Sequence, residues 1–113
     1  MKPLMTGDLT CRPILQAKSV TRDTNGAEVV TWTDIATVWA NIADLGGWEF
    51  FAARQEFGQV NTRIRIRYRR DVVPFMRWKW QNAHYDIIAV QDPDGHRTEL
   101  IVMCRKLVGQ EVA

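Results

Sequence analysis

The chain has 113 residues, of which 46% are hydrophobic and 25% are charged, and this composition is typical of one globular domain rather than a disordered or fibrous protein. Its formal net charge of +2 is too small to indicate nucleic-acid binding by itself. No stretch approaches the roughly 18 apolar residues of a membrane span, and the N-terminus lacks the apolar core of a signal peptide. We therefore expect a protein that is made in the cytoplasm and has no membrane partner.

The first third of the chain predicts β-strands joined by short turns. We expect residues 1–8 to form a flexible N-terminal arm. Residues 9–21 predict a first strand, whose start is confined to a sheet edge or an irregular position by Pro13. Residues 23–26, Asp-Thr-Asn-Gly, predict a turn, because Asn and Gly tolerate positive φ. Residues 28–42 then predict a second strand or a pair of strands.

A short helix is predicted after a pair of glycines near the middle of the chain. Within residues 48–57, Trp48 and Phe51 have the i, i+3 spacing that places two side chains on one helical face. Gly58 is a typical helix stop signal. We therefore expect one short helix or long loop inserted around residues 43–60.

The clearest strand covers residues 62–69, where apolar residues and arginines alternate. Ile64, Ile66 and Tyr68 fall on one face of this strand. The other face carries Arg63, Arg65, Arg67 and Arg69. This strict alternation indicates a strand with one face toward a core and one face away from it.

Further strands are predicted at residues 76–80, 85–90 and 98–107, with turn signals between them. Together with the earlier elements they predict an all-β protein. We expect a small single-domain β-barrel of about six mostly antiparallel strands over residues 9–108, followed by a C-terminal tail at residues 109–113.

Common catalytic motifs are missing from the sequence. It contains no G-x-S-x-G turn, no Gly-rich phosphate loop and no H-E-x-x-H pair. We therefore expect neither enzymatic activity nor a cofactor.

The cysteines and histidines do not follow the spacing of a metal site. Cys11 and Cys104 lie near opposite ends of the chain, and His84 and His96 are not paired with them in sequence. Since a structural zinc site usually needs four such ligands, we expect no metal and two reduced thiols that serve as small apolar side chains. A disulfide between the two cysteines is the alternative, and it would fit an oxidising compartment.

The row of four arginines on the strand at residues 62–69 is one candidate binding surface. In one interpretation, acidic residues on neighbouring strands relieve the positive charge of this row. In another, the arginines pair with carboxylates of a partner protein or a neighbouring subunit, because a guanidinium group can bind a carboxylate bidentately. The alternative is an OB-like barrel that binds nucleic acid through phosphates. That function favours exposed aromatic residues for base stacking, whereas Tyr68 lies on the opposite face.

An aromatic segment is the second candidate surface. Its members are Trp48, Glu49, Phe50, Phe51, Arg54 and Phe57. Either this segment caps the barrel, or it is exposed to a partner, as apolar patches on small proteins usually are. Trp32 and Trp39, in contrast, are expected in the core.

Several segments resemble one known family in their order and spacing. Residues 31–42, TWTDIATVWANI, resemble an early-strand segment of that family, and residues 47–49 match its G-x-E element, although Trp48 stands where the family usually has a polar residue. Residues 62–69 resemble its I-x-I-R-Y-R strand, and the ending from D-x-D-G to C-R also fits. Over residues 9–107 the chain is similar to the head-tail joining, or head-closure, proteins of tailed bacteriophages.

This resemblance implies a structural protein of the virion, located at the head-tail connector. Such proteins dock as a ring beneath the portal or its adaptor, close the DNA exit channel after packaging and provide the surface to which the tail attaches. The implied partners are the connector, the tail or tail-terminator protein, further copies of the same chain and, by proximity, the packaged DNA. Residues 43–60 would correspond to the loop that lies near the channel. A minor tail-completion protein with the same architecture is the alternative.

Overall fold

The structure is a computed structural model that describes residues 6–93 and 95–108. The described residues form seven strands, one α-helix and one 3-10 turn. The strands are β1 (Ile14–Arg22), β2 (Glu28–Thr37), β3 (Ala40–Asp44), β4 (Thr62–Arg67), β5 (Arg77–Trp80), β6 (Ala83–Gln91) and β7 (Glu99–Val108). The helix α1 covers Gly47–Phe57, and the 3-10 turn covers Thr6–Asp8. The predicted all-β class and the single short helix are therefore confirmed.

All the strands belong to one sheet in the order β2-β1-β5-β6-β7-β4-β3, with antiparallel neighbours throughout. There are seven strands rather than about six because residues 28–42 divide into β2 and β3. The division falls at Val38, whose backbone N–H donates to the carbonyl oxygen of Pro13 at 3.0 Å in the β1–β2 register. Pro13 has no N–H group to return this bond, so the ladder is interrupted there.

The sheet curls but does not close into a continuous barrel. The edge strand β3 meets the segment before β1 through one isolated bridge, in which Cys11 and Ala40 exchange backbone hydrogen bonds of 2.9 and 2.8 Å. Pro13 has no N–H group, so a regular ladder cannot pass through it. The predicted barrel is therefore present as an open, curled sheet with a short seam.

The inner face of the sheet holds the main core. Its largest fully buried apolar side chains are Trp78, Tyr85, Leu15, Ile64, Ile66 and Val102. They come from five strands, and Ile64 and Ile66 lie at the inward positions of the alternation that the sequence predicted for residues 62–69. Burial of each side chain of this size contributes roughly 1.5–3 kcal/mol, so this cluster carries most of the stability of the fold.

The helix α1 lies on the outer face of the sheet. Its buried residue Ala53 joins Val60, Ile101 and Met103 in a second, smaller core. For this reason β7 is buried on both faces, with Val102 in the main core and its two neighbours under the helix. Among the described residues, no helix has the length and apolar character needed to cross a bilayer.

The hairpin formed by β1 and β2 extends away from the body. Residues 18–31 of this hairpin are all exposed, and the molecule measures 52 Å along its longest axis against 27 and 26 Å across. The turn at its tip is held by Asp23, whose side chain accepts hydrogen bonds from the backbone N–H groups of Asn25 and Ala27, each at 2.9 Å. The predicted turn at residues 23–26 is therefore confirmed.

The prediction that Trp32 and Trp39 lie in the core is wrong. Trp32 is only half-buried and belongs to neither core cluster. Trp39 is 51% exposed because it follows the buried residue Val38 in an extended segment, where successive side chains point to opposite sides. Its ring instead stacks beneath the guanidinium of Arg12, at 4.9 Å. The arm predicted at residues 1–8 lies mostly outside the described residues, and so does the tail predicted at residues 109–113.

Candidate assembly surfaces

The aromatic segment of α1 is divided between the fold and the surface. Phe57 is half-buried against the second core, whereas Trp48 is 88% exposed and Phe51 is 62% exposed. Phe50 is half-buried and touches Phe51 edge-to-face, with 5.8 Å between ring centroids. Trp48 and Phe51 therefore form an outward-facing pair, which we call the α1 aromatic face.

The helix that carries this face is joined to the sheet near its start and is capped at its end. Near its start, Glu49 forms an ion pair with Arg63 of β4, and a carboxylate in the first turn also interacts favourably with the helix dipole. At its end, the N–H of Gly58 donates to the carbonyl of Arg54 at 3.0 Å, and Gly58 has φ 82°. This positive φ explains why a glycine follows the helix.

The row of arginines at residues 63–69, which begins in β4 and ends just after it, is largely neutralised within the chain. Arg65 donates to both carboxylate oxygens of Glu99 on β7, at 2.9 and 3.3 Å, and both side chains are buried. Arg63 pairs with Glu49, and Arg69 forms a bidentate pair with Asp71 at 2.8 and 3.0 Å. Acidic residues of the same chain thus relieve the like charges, which is one of the three interpretations that the sequence left open.

The Arg69 hydrogen bonds hold the pKa of Asp71 below its usual value and raise the pKa of Arg69. Both side chains remain more than a third exposed, so solvent screening limits the contribution of this pair to stability.

A second apolar surface lies on the outer face of the sheet at β1, β2 and β6. A pocket of about 360 Å3 opens there between the β1–β2 hairpin and the loop that precedes β5. Its walls include Lys18, Trp32, Phe75, Met76, Asp86 and Ile88. We call it the Phe75 pocket.

The Phe75 side chain is 87% exposed and its backbone has φ 74°. Positive φ at a bulky residue costs about 1–3 kcal/mol and persists only where the surroundings impose it. Here the Phe75 N–H donates to the carbonyl of Ile87 at 3.4 Å, and the Ile87 N–H donates to the carbonyl of Met76 at 3.1 Å. These contacts with β6 hold the phenyl ring outward at the mouth of the pocket.

A polar network fixes the tryptophan wall of the pocket. The buried side chain of Gln16 donates to Asp34 Oδ1 at 2.7 Å and accepts from Arg77 Nε at 2.7 Å. The Arg77 guanidinium in turn lies 4.0 Å from the centre of the Trp32 ring, a distance at which cation–π attraction is strong. Trp32 is therefore held in place before any partner arrives.

The titratable groups near this network are shifted by burial. Burial lowers the pKa of Arg77 from its usual value, although the neighbouring Asp86 and Asp34 oppose the shift. Burial also lowers the pKa of His84 on β6, and the positive charges of Arg77 and Lys79 lower it further.

Both cysteines are free thiols. Cys104 is fully buried in the main core, and burial raises the pKa of its thiol well above the usual value. Cys11 is half-buried at the seam. Within residues 6–93 and 95–108, no three Cys, His, Asp or Glu side chains are grouped as metal ligands.

Sequence reasoning identified the α1 aromatic face but missed the Phe75 pocket. The sequence feature that could have indicated the pocket is an apolar run, Val-Val-Pro-Phe-Met at residues 72–76. It lies in a segment that was interpreted only as a connection between strands. The remaining walls come from residues 18, 32 and 86–88, and only the sheet brings these segments together.

Comparison with known proteins identifies the family. The sequence model of the phage head completion protein family matches residues 4–107. The solution structure of protein SF1141 from Shigella flexneri 2a is 30% identical, with a TM-score of 0.70, and the match covers 91% of this chain and 96% of that chain. A chain from the virion of a native gene transfer agent particle is 18% identical, with a TM-score of 0.59 and coverage of 89% and 97%, and it shares the fold. No protein with a curated description matches. The chain therefore belongs to the phage head completion protein family.

Proposed function

We propose that this protein completes the phage head by docking as a ring beneath the portal or its adaptor. In that position it closes the DNA exit channel after packaging and provides the surface to which the tail or its terminator protein attaches. The observation that carries the proposal is the family match, which spans nearly the whole chain from residue 4 to residue 107.

The surface of the protein supports a role in assembly. The α1 aromatic face and the Phe75 pocket expose large apolar side chains, with Trp48 and Phe75 nearly fully exposed. Exposed aromatic groups of this kind usually mark protein interfaces. A subunit of a ring needs two different patches, one for each neighbour, and further surface for the rings above and below it.

The segment at residues 43–60 is the part that we place nearest the channel. It contains the end of β3, the helix α1 and the turn that follows, and it projects from the outer face of the sheet. The exposed charges Glu49, Arg54 and Glu56 lie on this segment, so it would present both signs of charge to the components that surround it.

The arginine row contributes less to this proposal than the aromatic surfaces do. Arg63, Arg65 and Arg69 are each paired with a carboxylate of the same chain. This pairing reduces the positive charge that an OB-like nucleic-acid function would need for phosphate contacts.

Deleting the gene from a phage or an inducible prophage tests the proposal. Electron microscopy of the resulting particles should show separate tails beside packaged heads that leak DNA, and supplying the protein in trans should restore complete virions. Infectious, fully assembled particles without the gene would refute the proposed function.

A further inference from the structure

We propose that the α1 aromatic face of one copy of this chain inserts into the Phe75 pocket of a neighbouring copy. The contact is head-to-tail, since every copy contributes one face to one neighbour and one pocket to the other. This contact presupposes the ring of the proposed function, and it would join adjacent subunits of that ring.

The donor side is a rigid, exposed pair of aromatic rings. Trp48 and Phe51 are 88% and 62% exposed, and they lie three residues apart on one face of the helix. The Glu49–Arg63 ion pair and the burial of Ala53 fix α1 against the sheet. A fixed helix loses little conformational entropy on binding, which favours association.

The acceptor side is a preformed apolar pocket. Its volume of about 360 Å3 falls within the roughly 300–1,000 Å3 of pockets that hold compact ligands. Trp32 is held by the Arg77 guanidinium, and hydrogen bonds to β6 hold the backbone of Phe75. Ile88, which is 37% exposed, completes the apolar wall. A pocket of this volume has room for an indole ring.

The charges beside the two surfaces are complementary. Arg54 and Glu56 are exposed and lie two residues apart, so they project on opposite flanks of the aromatic face. The pocket has Lys18 on β1 and Asp86 on β6, with β5 between them. A helix seated with Glu56 toward Lys18 therefore also points Arg54 toward Asp86.

The pair formed by Lys18 and Glu56 gives the cleaner test of this placement. Neither side chain forms an ion pair within the part of the chain that the structure describes. Asp86, in contrast, already approaches Arg105 at 3.6 Å.

A second copy fits the pocket because both halves of the contact are present on one chain. The donor face lies over β7, whereas the pocket lies over β1, β2 and β6, so the two halves of the contact occupy different parts of the chain. Heterologous contacts of this kind propagate from copy to copy and close into a ring when the rotation between copies permits.

The contact is expected to be weak between free chains. Two aromatic side chains bury about 150–250 Å2 each, which is less than the ~800 Å2 per partner of a standard stable interface. Free chains are therefore monomeric when dilute. The contact forms when docking holds the copies side by side at a millimolar effective concentration.

Nuclear magnetic resonance on two complementary variants tests the contact. The 15N-labelled chain carries Trp48→Ala and Phe51→Ala, so only its pocket is intact. The unlabelled chain carries Phe75→Glu, so only its aromatic face is intact. All three changes are at exposed side chains, and the dispersion of the amide signals reports whether each variant is folded.

Adding the unlabelled chain to millimolar concentration should shift the indole N–H signal of Trp32 and the amide signals of Lys18 and Ile88. An unlabelled chain that carries all three substitutions should leave these signals in place. The matched control Val30→Ala removes an exposed side chain of the hairpin and should bind like the parent. Signals that stay in place with the intact aromatic face, or that move equally with the triple variant, would overturn the proposal.

A charge swap tests the orientation of the helix. Lys18→Glu on the pocket chain or Glu56→Lys on the helix chain should each weaken binding about 2–5-fold, the range of an exposed ion pair. Combining the two reversals should restore the parent affinity. Single reversals without effect, or a combination that stays weak, would refute the placement of Glu56 beside Lys18.

The failure of this contact and the failure of the proposed function can be told apart. If the variants do not bind while the gene deletion still yields separate heads and tails, the contact is wrong and the head-completion function stands. If the variants bind but the deletion phage assembles normally, the contact is real and the function is wrong.

Discussion

Removing the Arg65 guanidinium alone should destabilise the protein strongly, because this guanidinium forms a mostly buried ion pair with Glu99. Its guanidinium meets both oxygens of Glu99 at 2.9 and 3.3 Å, and the two side chains are only 11% and 9% exposed. Arg65→Ala leaves the Glu99 carboxylate buried without this partner. Breaking a buried pair from one side costs about 3–5 kcal/mol, which is a large share of the about 5–15 kcal/mol that stabilises a typical domain.

Urea unfolding followed by tryptophan fluorescence measures this effect. The free energy of unfolding should fall by about 3–5 kcal/mol in Arg65→Ala. The double variant Arg65→Met, Glu99→Leu should recover most of that loss, because apolar residues can replace a buried ion pair at little cost. The exposed residue Arg70 supplies the control, since Arg70→Ala should change stability by less than about 0.5 kcal/mol. An Arg65→Ala protein as stable as the parent would show that the pair does not support the fold.

Three further outcomes follow from the structure. The pKa of His84 is lowered on folding, so its contribution to stability is complete above about pH 6.5 and is lost as the pH falls toward the lower, folded-state pKa. His84→Gln should therefore make the unfolding free energy less dependent on pH over this range, and an unchanged pH dependence would contradict this. A thiol reagent should modify the half-buried Cys11 in the folded protein and reach Cys104 only after unfolding, and rapid modification of both thiols would contradict the buried position of Cys104. Gly58→Ala should lower stability by about 1 kcal/mol through backbone strain alone, since φ is 82° and nothing lies within 4 Å of the added methyl group; an unchanged urea midpoint would contradict this.

Local patterns predicted the elements of the fold, and the sheet decided how they meet. Alternation of isoleucine and arginine was sufficient to place β4, and Ile64 and Ile66 are fully buried as expected. The partner of Arg65 could not be predicted, because Glu99 is 34 residues away and only the β4–β7 pairing brings the two together. The prediction for Trp39 was wrong because hydrophobicity alone does not show whether a side chain beside a break between two strands points into the core or toward solvent.

The candidate surfaces were predictable only in part, because local sequence patterns do not show how separate segments of the chain meet. The α1 aromatic face comes from one helix, so the spacing of Trp48 and Phe51 was enough to place them together. Whether these two side chains cap the sheet or face outward depends on the orientation of the helix against the sheet. In the structure the helix turns Ala53 toward the sheet, so the aromatic pair faces outward. The Phe75 pocket is built from separate segments of the chain, and no local pattern marks such a surface.

A reconstruction of the virion neck by electron cryomicroscopy tests the central claim most directly. Density with this fold should form a closed ring of identical copies on the channel axis, directly beneath the portal or its adaptor, with residues 43–60 nearest the axis. A neck without this density, or copies of the chain found elsewhere in the particle, would contradict the assignment of this protein to head completion.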